Sequence, residues 1–157
     1  MQALQVIEMY AGTRPDGETV VEKLRVTIND DDSCQLVTSP AFVQGLARGD
    51  TIKRDGDSFE LVKRSGNLCI RVYAENAERF AEELTSGIEK LGGELDIESP
   101  RLLVYSIHVS CGFNAIEDIL NKYIGEHSGS VWRYGNVYSP EDGTTPLNWW
   151  NEILKPE

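Results

Sequence analysis

Residues Leu68–Gly93 read LCIRVYAENAERFAEELTSGIEKLGG, and the change of period inside this stretch decides the fold. Leu68, Ile70 and Val72 alternate with Cys69, Arg71 and Tyr73, the period of two that marks a strand. From Ala77 the spacing changes. Ala77, Phe80, Ala81, Leu84, Ile88 and Leu91 recur at three, four and seven, which draws one stripe along a helix over 77–91. Asn76 suits its N-cap, Glu78 lies in its first turn, and Gly92-Gly93 stops it. Further on, Leu95 and Ile97 mark a short strand ended by Ser99-Pro100. Leu102 to Val109, apolar except for Ser106 and His108, has the composition of a central strand. Asn114 with Glu117 resembles a capping box before a second stripe of Ile116, Ile119, Leu120, Tyr123 and Ile124, closed by Gly125 or Gly129. Val131 to Tyr138 reads as a final aromatic strand. The order β-α-β-β-α-β predicts a ferredoxin-like unit over 67–138, with both helices side by side on one face of an antiparallel sheet. Both stripes need an apolar surface, and the sheet offers one.

Upstream, residues 1–66 read as short strands. Leu4, Val6 and Met9 belong to the first, and Gly12-Thr13-Arg14-Pro15-Asp16-Gly17 is a breaker-rich turn. Val20, Leu24, Val26 and Ile28 share one parity of the next run, with Glu22 as the single charged residue among them. Asn29 to Ser33 favours a turn, Cys34 to Thr38 a short strand, and Thr51–Arg64 a hairpin turning at Asp55-Gly56. The expected fold class is therefore α+β: an N-terminal small β-barrel or curled antiparallel sheet, then the ferredoxin-like unit. Residues 139–157 form a tail whose Trp149, Trp150, Ile153 and Leu154 are too apolar to dangle, so it is expected to dock.

Charge narrows the partners. The chain carries 26 Asp and Glu against 15 Lys and Arg, a formal net charge of −11. Such a surface repels phosphate backbones and anionic lipids, so neither nucleic acid nor a membrane is an expected partner. A basic protein partner or a small ligand fits better. No apolar run approaches the roughly 20 residues that cross a bilayer, and Met1 to Tyr10 does not read as a signal peptide. Cys34, Cys69 and Cys111 are an odd, widely spaced set, which points to reduced thiols and a cytoplasmic location. The sequence leaves the oligomeric state open.

Tests for chemistry return little, and no cofactor or metal is expected. Counted from Asp30, an EF-hand would need glycine at position six and glutamate at twelve, where Gln35 and Ala41 stand. His108 and His127 lie 19 residues apart with no CxxC pair, an unsuitable spacing for zinc. Gly125-Glu126-His127-Ser128-Gly129 differs from G-x-S-x-G, since its serine is fourth. Cys111, just before the second helix and near His108, is the one thiol placed for activation. The candidate binding residues are the late aromatics Trp132, Tyr134, Tyr138, Trp149 and Trp150 with Arg101, His108 and Arg133, because aromatics and arginine dominate binding hot spots.

The run Ser39-Pro40-Ala41-Phe42-Val43-Gln44-Gly45-Leu46-Ala47-Arg48-Gly49-Asp50, followed by the strand-rich Gly56–Gly66, resembles a bacterial family known only as a domain of unknown function, with a P-x-F…G-x-A-x-G-D core. The similar region covers residues 5–138. The resemblance implies no activity and brings no catalytic residue; physically the run is a turn or short helix feeding a strand, with Gly49-Asp50 at the bend. Three functions follow as expectations: a non-enzymatic binding or regulatory module, an immunity-type protein neutralising a basic toxin or nuclease, and an enzyme with a pocket between the two units.

Overall fold

Two antiparallel sheets follow one another along the chain in the computed structural model, which describes residues 4–56, 58–124 and 129–154. The first contains β1 (Leu4–Thr13), β2 (Thr19–Ile28), β3 (Cys34–Leu36), β4 (Thr51–Asp55) and β5 (Ser58–Lys63), ordered as in sequence. The second contains β6 (Asn67–Tyr73), β7 (Glu94–Glu98), β8 (Leu102–His108) and β9 (Val131–Tyr134), in the order β7-β8-β6-β9. Among the described residues three α-helices, α1 (Ala81–Lys90), α2 (Phe113–Ile124) and α3 (Trp150–Leu154), complete the fold. No helix among the described residues is long and apolar enough to cross a membrane.

The first sheet is open, which corrects the barrel alternative. β1 and β5 are its edges, with no ladder between them among the described residues. Its inner face is filled instead by two side chains from the loop between β3 and β4: Val43 and Leu46 pack with Ile7, Met9, Leu24, Val26, Leu36 and Ile52. Glu22, the charged residue on this apolar face, is explained by the same loop. Its carboxylate accepts from the backbone N–H groups of Ala41 (2.6 Å), Phe42 (2.9 Å) and Val43 (2.9 Å). The hairpin turn falls one residue later than expected: Asp55 pairs with Ser58, so Gly56 begins the turn at φ 65° and Asp57 lies outside the described residues.

In the second sheet, alternation separates two faces. Leu68, Ile70 and Val72 of β6 and Leu103, Tyr105 and Ile107 of β8 meet Leu84 and Ile88 of α1 and Ile116, Leu120 and Ile124 of α2 in one buried cluster. Each such fully buried aliphatic side chain contributes about 1.5–3 kcal/mol. The opposite face carries Cys69, Val104, Arg71 and Ser106 and is covered by the β3–β4 loop through Ala41 and Ala47.

Three local expectations change. The helix over 77–91 is a 3-10 turn at Ala77–Arg79, then α1, because Phe80 leaves helical geometry at φ −135°. Asn76 does cap that turn, accepting from Glu78 N at 3.2 Å. The capping box at Asn114 does not form: α2 already starts at Phe113, with Ile116 N bonded to Gly112 O, so Glu117 is free for another partner. The last strand ends at Tyr134 rather than Tyr138. Beyond it, Asn136 uses its side chain in place of a ladder, accepting from Cys69 N and donating to Asn67 O, each at 2.9 Å.

Candidate functional site

β9 is an edge strand, paired with β6 on one side only. Gly135 N donates to Cys69 O at 2.7 Å. The antiparallel alternation then turns the backbone groups of Val131 and Arg133 toward β6, and those of Trp132 and Tyr134 outward. Among the described residues nothing bonds to these outward N–H and C=O groups. A cleft of about 380 Å³ straddles this open edge. Trp132, Tyr134 and Glu117 line it from the helix side of the sheet, Arg133 and Gln44 from the loop side, and Tyr138, Ser139, Pro140 and Gly143 close one end. A smaller cleft of about 220 Å³ continues past Glu117, Tyr134 and Tyr138 to Trp150.

The aromatic wall is held in place from behind. Trp132 Nε1 donates to Asn121 Oδ1 on α2 at 2.9 Å, and the Trp132 and Tyr134 rings meet edge to face at 5.0 Å. Tyr134 donates its hydroxyl to Glu117 Oε2 at 2.9 Å. Burial pushes the Tyr134 phenol far above its ordinary range, and the Glu117 carboxylate adds to that, so the proton stays on the tyrosine as a donor. Phe113 bridges the Tyr134 and Trp150 rings, at 5.7 and 5.1 Å.

The loop side is built differently. Arg71, only 2% exposed, lies opposite Arg133 in the β6–β9 register. Its Nε donates to Pro40 O at 3.2 Å and its Nη2 to Val43 O at 2.5 Å. With its amide oriented to satisfy both neighbours, Gln44 accepts from Arg71 Nη1 at 3.2 Å and donates to Gly135 O at 3.1 Å. Glycine is required at 135, since a Cβ there would stand 3.0 Å from Arg71 Cζ and 2.7 Å from Cys69 Sγ. Among the described residues neither Arg71 nor Arg133 makes an ion pair.

The rest of the 39–50 run forms clamps. Arg48 pairs with Asp96 at 3.1 Å and with Glu94, while Asp96 also accepts from Ser39 N at 2.8 Å and from the Ser106 hydroxyl. Asp50 accepts from Ala47 N, Ser65 N and the Ser65 hydroxyl at 2.8–3.1 Å. Gly49 turns at φ 87°, with Ser65 so near that a Cβ would sit 2.8 Å from it. Each polar group here holds backbone or another clamp member.

Of the eight residues singled out from sequence, Trp132, Arg133, Tyr134 and Tyr138 line the main cleft and Trp150 the smaller one. Trp149 supports them from beside: its Nε1 donates to Asn136 O at 2.8 Å and Arg64 lies 5.2 Å over its ring. Arg101 and His108 line neither cleft. Arg101 precedes β8 and gives its carbonyl to Ala74 N. His108 pairs with Asn67 in the β6–β8 ladder, and its Nδ1 bonds Ser110 rather than Cys111. Cys111 packs half-buried against the helix-side core. No group of three or more His, Cys, Asp or Glu among the described residues is arranged for a metal ion, and His127 lies outside those residues. Sequence reading missed the lining residues Gln44 and Glu117, and also Ser139, Pro140 and Gly143 at the end of the main cleft.

The family model described as "Domain of unknown function (DUF4265)" matches residues 22–132. The chain belongs to the DUF4265 family. The matched span holds the whole clamp loop, Gln44, Glu117 and Trp132; the remaining cleft residues of this DUF4265 protein follow it. A crystal structure of a hypothetical protein from Neisseria gonorrhoeae is similar at a TM-score of 0.65 and 22% identity, over 86% of this chain and 94% of that one. At that identity the likeness concerns the fold. No curated protein matches the DUF4265 chain.

Proposed function

We propose that this DUF4265 protein is a non-enzymatic binding module whose ligand occupies the cleft at the β9 edge. The observation carrying this reading is the cleft itself: three aromatic side chains and an arginine without an ion pair surround backbone groups that nothing among the described residues bonds. Aromatics supply contact area, while the arginine and backbone supply orientation. Tyr134 and Glu117, the hydrogen-bonded pair in the cleft, hold each other in place: the tyrosine keeps its proton and donates to the carboxylate. We read β6 to β9 with α1 and α2 as ferredoxin-like, on the element order and on a strand order that puts the first and third strands at the centre. The three free cysteines support a reducing, cytoplasmic setting.

A thermal-shift screen of the whole chain against organic carboxylates, phosphates and short peptides tests the reading. A ligand at 100 times its Kd adds about 2.7 kcal/mol of stability. Tyr138→Ala removes an exposed cleft residue and abolishes the shift without altering the unliganded melting temperature. A panel that shifts Tyr138→Ala as much as the wild type rules the cleft out.

A basic protein partner is the second reading, favoured by a shallow groove of about 580 Å³ along α1 and β7 that Glu78, Glu82, Glu89 and Glu98 line. With a net charge of −11, it draws a cationic toxin or nuclease as an immunity-type protein would. Association then falls steeply with salt and is lost on Glu82→Lys with Glu89→Lys. A basic partner retained by that double variant contradicts this reading.

A further inference from the structure

We propose that the ligand of the β9 cleft is an extended peptide that adds as a fifth strand and sets an acidic side chain, flanked by apolar residues, against Arg133. The proposal rests on the cleft being the binding site and names what fills it.

Three observations lead to that chemistry. First, the outward N–H and C=O groups of Trp132 and Tyr134 belong to one edge and are spaced as a ladder, so they match the backbone of another extended chain. A compact small molecule matches one such group; a strand matches the row. Second, the cleft lies on both faces of that edge, with Arg133 and Gln44 on one and Trp132 and Tyr134 on the other. A strand laid along the edge projects successive side chains alternately to these two faces. The residue opposite Arg133 therefore meets a cation, and its neighbours on either side meet aromatic rings.

Third, Arg71 and Arg133 on the loop face have no ion-pair partner among the described residues. Arg71 and Arg133 are cross-strand partners, about 5.5 Å apart at Cα in a hydrogen-bonded antiparallel pair. Like charges directly opposite one another repel. Among the described residues no carboxylate pairs with Arg71; the carbonyl oxygens of Pro40 and Val43 and the amide oxygen of Gln44 accept its hydrogen bonds. Gln44 passes between the two arginines' surroundings, touching Arg71 and lining the cleft. The complement to this face is an anion, although the molecule as a whole is acidic. Glu117, the carboxylate in the cleft, sits on the other face and already accepts from Tyr134. The ligand's acid is thereby confined to the Arg133 side. Arg133 is the contacting residue; Arg71 and Gln44 are positioning residues.

The test titrates the full chain with acetylated, amidated heptapeptides of the pattern polar-polar-Val-X-Val-polar-polar, with X as Glu, Gln or Lys, following tryptophan fluorescence. The Glu series binds about tenfold more tightly than the Lys series, the swing between an opposite and a like charge across a strand. Arg133→Glu, at an exposed position, reverses the order, and N-methylation of the peptide backbone at the edge-facing positions abolishes binding. Equal binding of the Glu and Lys series overturns the proposal, as does binding that survives N-methylation or an absence of binding by every peptide. Succinate or inorganic phosphate bound in an Arg133-dependent way, with no peptide bound, also overturns it. In that last case a shift lost on Tyr138→Ala leaves the cleft as the binding site and removes only its peptide occupant.

Discussion

The two faces of the second sheet use opposite chemistry to cover the same strands. On the helix face, Leu68, Ile70, Val72, Leu103, Tyr105 and Ile107 meet two apolar stripes, and dispersion with water exclusion does the work. On the loop face, Arg71 and Asp96 bond backbone groups of a loop that has no regular structure, the loop's own Arg48 and the Ser106 hydroxyl bond Asp96 in turn, and polar contacts do the work. Apolar packing tolerates many sequences of suitable volume, whereas a buried arginine held by carbonyls fixes one path for the loop. That path brings Gln44 to the edge of β9 and so completes the cleft from outside the sheet. The core face makes the molecule stable; the polar face places the candidate site.

Substitutions on each face sharpen this contrast. The largest effect is expected on the helix face: Leu84→Ala leaves a cavity in the shared cluster and costs about 3 kcal/mol in chemical denaturation, with one cooperative transition. Arg71→Met removes the donors to Pro40 and Val43 and costs about 2 kcal/mol, with hydrogen exchange rising first in residues 40–48. Uniform loss of protection would erase the distinction between the faces. Gly135→Ala forces a methyl group against Arg71 and Cys69 and costs about 1–2 kcal/mol, again read in the loop amides.

A smaller effect is a pH dependence. Burial raises the Asp50 carboxyl above its ordinary 3.8, against the lowering pull of the Ser65 and Ala47 N–H groups. The folded state then holds the Asp50 proton more tightly than the unfolded chain. Its stabilising contribution is full below pH 3.8 and is lost as pH rises through the folded value. Asp50→Asn flattens this part of the stability profile, and an unchanged slope contradicts the assignment. The smallest effect is at Arg133: Arg133→Gln changes stability by under about 0.5 kcal/mol, because the side chain is exposed and makes no ion pair among the described residues.

The contrast also explains what the amino-acid sequence disclosed. The stripe of Leu84 and Ile88 and the alternation of Leu68, Ile70 and Val72 are written in side-chain polarity, so the helix-face core was readable. Arg71 sits on the polar parity of β6 and reads as solvent-facing; its true partners are backbone carbonyls, which no residue letter encodes. Glu22 did announce itself as a charge among apolar neighbours, yet its partners are again backbone groups. For the cleft, the clustering of Trp132, Arg133, Tyr134 and Tyr138 was legible from their closeness in the chain. Gln44 arrives from 88 positions before Trp132 by way of the buried clamp. Glu117 was read as a cap because its spacing from Asn114 fits one, while the helix began a residue earlier.

Ligand recognition at the open edge of β9 can be located by mapping amide chemical shifts during titration with a Glu-centred heptapeptide. The amides of Trp132 and Tyr134 are expected to shift most and to gain protection from exchange. Shifts confined to α1 and β7, or protection gained nowhere in residues 131–134, would contradict it.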